Sequence, residues 1–299
     1  MKKQLITIVG PTAVGKTELA VNLANHFNTE IVSADSRQFY KELNIGTAKP
    51  TKKELQSNKH HLIDNISISQ EYNISQFEKD ADKLINKIFL KNDYAILVGG
   101  SGLYINAVLY GIDNIPDLDP SIRKKLNDQY EKKGIDGLLS KLSKLDNESL
   151  KTIDINNPRR VIRALEVTIS TNKPYSAFLK SKNRKSKYNE IIIGLNRNRS
   201  ELHETINKRV DIMIKKGLID EVSSLNEFKE LNALNTIGYS EIFKYLSREY
   251  SYDKAIEKIK TNSRRYAKRQ MTWFNSNKSI NWFIDKYDIS EIIKLIETT

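Results

Sequence analysis

The 299-residue chain contains no cysteine, which excludes disulfides, thiolate zinc sites and catalysis by a thiol. Histidine is scarce as well, with four in all. The one pair, His60-His61, consists of adjacent residues that diverge on either a helix or a strand, so no coordination set is completed and no metal site is expected there. No apolar run approaches the ~18 residues of a membrane span. The start, Met1-Lys2-Lys3-Gln4-Leu5-Ile6, leads so soon into a strand-like run that no secretory leader is expected. Internal repeats and low-complexity stretches are missing too. These absences point to a cytoplasmic globular protein. At 39% hydrophobic residues, the chain suffices for one large core with an insertion, or for two modest cores. Acidic residues are the minority charge, 37 against 49 Lys and Arg, for a formal net charge of +12. That balance suits a polyanionic partner. A lysine-rich composition explains part of it, so the placement of the charge decides more than its total.

What is present begins with Gly10-Pro11-Thr12-Ala13-Val14-Gly15-Lys16-Thr17, which fits G-x-x-x-x-G-K-[ST] after the apolar run Leu5 to Val9. Behind it Leu19, Ala20, Leu23, Ala24 and Phe27 recur at helical spacing. Strand, loop and helix in that order are the context of a phosphate-binding loop. Its backbone N–H groups and the helix N-terminus gather positive partial charge, and Lys16 adds a full one. Thr17 can offer its hydroxyl to a magnesium ion bound to the phosphates. The motif specifies a pyrophosphate-like group; it leaves open whether the ligand is a nucleotide such as ATP.

Glu30 to Asp35 reads as a second strand ending in an acid, with Ser36-Arg37-Gln38-Phe39-Tyr40 leaving it as a loop. In parallel α/β sheets such loops collect at the carboxyl edge, so Asp35 is expected to face the phosphate loop. A magnesium-linked carboxylate, a general base and a helix cap all stay open for it. Phe77, Ala81, Leu84, Ile85, Ile88 and Phe89 make an amphipathic helix. The strand Tyr94 to Val98 then ends in Gly99-Gly100-Ser101-Gly102, where Ser101 can donate toward whatever the first loop holds. Residues 113–187 carry helical spacings and no strand candidate, and are expected to form a helical insertion in a core of 1–112 and 188–299. A helix opening at Asn157-Pro158 sets Arg159, Arg160 and Arg163 on neighbouring faces, a cluster suited to phosphates. Lys180, Lys182, Arg184, Lys185 and Lys187 read as a basic, flexible stretch. Strands are expected at Glu190 to Leu195 and Ile280 to Ile284, a helix bearing Arg209 between them, and a closing helix at Ile289 to Ile296. The last long helix, about 254–274, is expected to bury Ile259, Tyr266, Gln270 and Trp273. Arg264, Arg265, Lys268 and Arg269 crowd its other side, which suits a solvated face or an RNA backbone with stacked bases equally. The expected fold is α/β, a P-loop NTPase-like parallel sheet flanked by helices with an α-helical insertion.

Taken together, Gly10 to Thr17, Asp35 to Tyr40, Ile45-Gly46-Thr47-Ala48-Lys49-Pro50, Gly99 to Tyr104, Asn157 to Glu166, Ile237-Gly238-Tyr239 and Arg265 to Phe274 resemble, in order, the tRNA dimethylallyltransferases, also called tRNA isopentenyltransferases. The resemblance runs from end to end. It implies transfer of a dimethylallyl group from dimethylallyl diphosphate to N6 of adenosine 37 in tRNAs reading codons that begin with U. The phosphate loop would hold the prenyl diphosphate with magnesium, and Lys16, Arg209 and Ser101 would join Asp35, the base, at the catalytic centre. Gln38 would read the adenine edge, next to Ser36 and Arg37. Arg123, Arg159, Arg160, Val161, Ile162 and Arg163 of the insertion would meet the anticodon stem-loop, with Arg265, Lys268 and Arg269 holding more backbone. A monomeric, bacterial-type enzyme is implied. The chain departs from the family at Ser101, usually threonine, and at Arg37 and Phe39, often methionine and valine. Rival readings are an isopentenyltransferase acting on free AMP, ADP or ATP, a phosphate-loop kinase, and an RNA-binding module without catalysis.

Overall fold

Short apolar runs rich in isoleucine, valine and leucine pair into a single parallel sheet in the computed structural model, which describes residues 3–113, 115–116, 118–179 and 185–299. In chain order the first unit comprises β1 (Gln4–Val9), α1 (Lys16–His26), β2 (Ile31–Ser33), α2 (Lys52–Ser57), β3 (His60–His61), α3 (Ile74–Phe89), β4 (Tyr94–Val98) and α4 (Gly102–Tyr110). The second contains α5 (Pro120–Leu145), α6 (Asn147–Thr152) and α7 (Pro158–Thr171). The chain then returns to the first with β5 (Glu190–Asn196), α8 (Arg199–Lys215), α9 (Leu218–Ser224), α10 (Tyr239–Leu246), α11 (Tyr252–Phe274), β6 (Ile280–Ile284) and α12 (Ile289–Thr298). Contacts group Met1–Gly111 with Ser186–Thr299, and Ile112–Lys185 apart from them.

The strand order is β3-β2-β4-β1-β5-β6. Period-two alternation sends Leu5 and Val9 of β1 to one face and Ile6 and Ile8 to the other. The first face packs on Phe77 of α3, Ile105 of α4, Val210 of α8 and Ile259 of α11, and the second on Leu19 and Leu23 of α1 and Ile292 of α12. Because every strand runs the same way, the loops that follow β1, β2 and β4 emerge at one edge. That edge is where the phosphate loop, Asp35 and Ser101 come from.

Two of the recognised stretches are explained by folding. The Glu221 carboxylate accepts the N–H groups of Ile45 at 2.7 Å and Gly46 at 3.1 Å, and the Tyr239 hydroxyl donates to it as well. A Cβ on Gly46 would lie 2.4 Å from the Tyr239 ring, so only glycine allows this approach. Ile45 to Pro50 and Ile237 to Tyr239 thus lock against each other.

In the helical unit α5 breaks at Gly134, where φ is 67°, and Leu126, Leu138, Leu142, Val161 and Leu165 form a separate core. Asp146 caps α6 and also accepts from the Ser176 N–H at 2.9 Å and hydroxyl at 2.7 Å. One strand has no counterpart in the sequence reading, and one expectation needs correcting. β3 falls on the histidine pair, two residues being too few to show a period. Trp273 does not join the buried stripe of α11: it is 38% exposed, while Ala255, Ile259, Ala267, Gln270 and Phe274 fill that role.

Candidate active site

The loop after β1 curls because Gly10 takes φ 144°, and a Cβ there would lie 2.3 Å from the Leu195 carbonyl oxygen. It borders a cavity of about 340 Å³ whose walls include Thr12, Lys16, Thr17, Asp35, Arg209 and Gln270. Val14 turns its side chain into the core, so the loop offers backbone there. Lys16 Nζ donates to the carbonyls of Gly10 at 3.0 Å and Pro11 at 2.7 Å. Burial, and then the Arg209 cation, draw the Lys16 pKa down to about 7 against the opposing pull of Asp35. Arg209, itself lowered by burial and supported by Asp35, donates to the Thr12 hydroxyl at 3.0 Å. Two cations and one carboxylate therefore share a poorly hydrated space in which each feels the others strongly.

Asp35 follows β2, and its Oδ1 accepts the Arg37 N–H at 3.0 Å, which fixes the turn. Ser101 stands at the N-cap position of α4 without a side-chain cap bond; its Oγ accepts the Ser36 N–H at 3.2 Å and lies close enough to the Tyr266 phenol to influence it. Burial, and then Asp35, push the Tyr266 phenol up to about 12. Gln270 is the residue that sequence reasoning assigned only to packing. Its Oε1 accepts the Thr12 N–H at 2.8 Å and its Nε2 donates to the Gly100 carbonyl at 2.9 Å. The buried amide therefore ties the phosphate loop to the loop after β4. A Cβ on Gly100 would come within 2.2 Å of that Nε2, which is why a glycine stands there.

The family pattern described as IPP transferase matches residues 38–277. The chain belongs to the IPP transferase family. Among relatives of this IPP transferase, a tRNA dimethylallyltransferase of Christiangramia forsetii is 49% identical over 298 residues, covering 100% of this chain and 99% of that one. One of Flavobacterium johnsoniae is 48% identical, covering 98% and 97%. Of solved structures, the full-length tRNA isopentenylpyrophosphate transferase of Bacillus halodurans superposes with a TM-score of 0.73 at 39% identity, covering 99% of this chain and 95% of that one. A eukaryotic dimethylallyltransferase described as acting on tRNA gives 0.79 at 28% identity, covering 95% and 74%.

The other expected contacts of this IPP transferase are distributed unevenly. The Arg37 guanidinium does not stand free for RNA: it donates to the carbonyls of Asn232 at 2.9 Å, Ala233 at 3.1 Å and Asn235 at 3.2 Å. Gln38 lines the cavity, yet its Nε2 donates to the carbonyls of Thr47 and Ala48 at 3.2 and 3.3 Å. Phe39 packs with Phe77 and Tyr104 in an aromatic cluster, so its departure from the family concerns the core. In the helical unit Arg123 and Arg163 converge on one oxygen of the buried Glu166, at 2.8 and 3.0 Å. Arg159 and Arg160 are exposed. Val161 and Ile162 are corrected: their side chains lie in the unit's core and cannot reach a ligand. On α11 Arg265, Lys268 and Arg269 are exposed, whereas Arg264 turns inward to Asn207 and Thr261. Lys187 pairs with Glu78 and Asp82 instead of joining a free basic stretch. Lys180, Lys182 and Arg184 lie outside the described residues.

Proposed function

We infer that this chain is a tRNA dimethylallyltransferase, which transfers the dimethylallyl group of dimethylallyl diphosphate to N6 of adenosine 37 in tRNAs reading codons that begin with U. The observation that carries the reading is the single cavity in which Lys16, Arg209 and Asp35 meet at the phosphate loop. A diphosphate held there leaves with its bridging electron pair as the allylic carbon–oxygen bond breaks. The loop amides, Lys16 and Arg209 stabilise the charge that develops on it. N6 forms the new bond to carbon and gives up its proton, and Asp35, a carboxylate of the cavity wall whose charge is felt by both Lys16 and Arg209, receives it. Ser101 and Tyr266 hold the approach beside Asp35. The acceptor adenine leaves its stack to arrive, as chemistry on a base requires.

Magnesium would enter together with the diphosphate, and Thr17, in the wall of the cavity, would offer its hydroxyl to the ion. When bound, the ion adds charge neutralisation to the leaving group. In this reading the anticodon stem-loop is held by cations from each unit taken by itself: exposed Arg159 and Arg160 in the helical unit, where Arg123 and Arg163 share part of their charge with Glu166, and exposed Arg265, Lys268 and Arg269 on α11. No helix among the described residues is long and apolar enough to cross a membrane, and the protein acts as a cytoplasmic monomer in this reading.

The test is nucleoside analysis of unmodified tRNA carrying A36 and A37, incubated with the protein, magnesium and labelled dimethylallyl diphosphate beside parallel reactions with AMP and with ATP. Label at A37 alone is expected. Label in AMP or ATP alone moves the enzyme to the free-nucleotide class, and ATP turnover without prenyl donor supports the kinase reading.

A further inference from the structure

Tyr266, Arg269 and Trp273 stand at i, i+3 and i+7 of α11 and so share one stripe of its surface. The stripe begins inside the cavity, which Tyr266 lines. It continues outward through Arg269, whose guanidinium carbon lies 5.7 Å from the centre of the Tyr266 ring. It ends at Trp273. One edge of that indole rests on Gly102, where a Cβ would lie 2.2 Å from Cδ1. Gly102 directly follows Ser101, so the ring is anchored beside the catalytic loops while 38% of the residue faces solvent. Leu103, the next residue of α4, is 56% exposed. Folding gives no reason for a large open ring here, because Gln270 and Phe274 already bury α11 against its neighbours. Exposed Arg265 and Lys268 add charge of the sign that attracts phosphate.

We propose that Trp273 is a stacking platform for one nucleobase adjoining the acceptor adenosine, with Arg269 continuing the platform inward to Tyr266. The proposal rests on the function inferred above and deepens it by naming how the neighbouring nucleotide is held. A planar cation over one aromatic ring, with an exposed indole one turn further along the same stripe and further cations nearby, is an arrangement single-stranded RNA uses, since every base has a π face and every nucleotide a phosphate. It is sequence-tolerant. It also supplies binding where an extruded adenine leaves its neighbour without a stacking partner.

Trp273 and Trp282 are the chain's only tryptophans, so RNA binding is read by emission as well as by transfer. An anticodon stem-loop RNA is expected to quench the wild type and to leave W273F without that component. In steady-state transfer W273A should raise the RNA KM about tenfold, within the range one stacked base contributes, with the KM for dimethylallyl diphosphate unchanged. W273F should restore most of the loss and W273L should not, which separates a π face from apolar packing on Gly102. The penalty of W273A should also vanish on an RNA made abasic on one side of the acceptor adenosine. A W273A penalty that persists on RNAs abasic at either flank, or a W273L protein equal to W273F, overturns the platform. If the wild type transfers nothing to RNA, the functional reading falls, and the emission and binding measurements still decide the role of Trp273.

Discussion

In the proposed reaction Asp35 takes the proton from N6, and the structure gives its carboxylate two further roles. Its Oδ1 holds the Arg37 N–H, and its charge is felt by both Lys16 and Arg209. Asp35→Asn keeps the oxygen that fixes the turn and removes the basicity. Single-turnover transfer should therefore fall roughly 10²- to 10⁴-fold, the usual contribution of a general base, with RNA affinity nearly unchanged. A variant that transfers at the wild-type rate would assign the proton to another group. Lys16 supplies a second test, through pH. Its pKa of about 7 means that in the free enzyme the ammonium is present below neutrality and is lost as pH rises through 7. Binding a diphosphate favours the charged form, so affinity should weaken with rising pH above 7, by up to about tenfold per unit. Lys16→Met should lack that dependence. The ligand's own ionisation is common to both proteins, so the difference between their binding curves from pH 6 to 9 isolates the lysine.

At the scale of elements, legibility followed repetition. β1, α1, α3, β4 and β5 were readable because each repeats an apolar spacing several times over. β3 was not: a two-residue strand has no period, and its pairing to β2 is set by the sheet around it. The phosphate loop was legible as a motif, and Asp35 by its place after a strand. Gln270 was legible only as an apolar-stripe position, because nothing in a helical spacing says that an amide will find one donor in Thr12 and one acceptor in Gly100. The same limit applied to Val161 and Ile162, which share a run with the arginines yet point the other way. It applied again to Arg37, whose carbonyl partners lie almost two hundred positions along the chain. The helical unit offers a test of how local its stability is. Burial alone would raise the pKa of Asp146, yet hydrogen bonds from Ser149 and Ser176 hold it below the usual carboxylate range. Asp146→Ala removes the α6 cap and leaves the half-buried Ser176 N–H without that acceptor, at a cost of roughly 1–3 kcal/mol. Hydrogen exchange should show the lost protection confined to residues 112–185, and a loss spread evenly over β1 and β4 would mean the two units unfold as one.

For the whole molecule the question is which part of the +12 charge meets RNA. Some of the basic side chains are already committed within the fold. Lys187 is paired with two acids, Arg37 with three carbonyls, and Arg123 and Arg163 share the Glu166 carboxylate. Arg159 and Arg160, exposed at the start of α7, are the cleanest test of the helical unit. Each phosphate that a cation neutralises adds about 0.7 to 0.9 to the slope of log affinity against log salt concentration. Replacing both with glutamine should therefore flatten the slope for an anticodon stem-loop by roughly 1.4 to 1.8. The affinity for dimethylallyl diphosphate, which the proposed function assigns to the phosphate loop, should not move. Glu166→Gln makes the sharper comparison, because it raises net charge by one while loosening Arg123 and Arg163. If net charge alone governs RNA affinity, that variant binds more tightly than the wild type. If the arginines must be held in place to meet phosphates, it binds more weakly despite its added charge, and the sign of the change decides between the two.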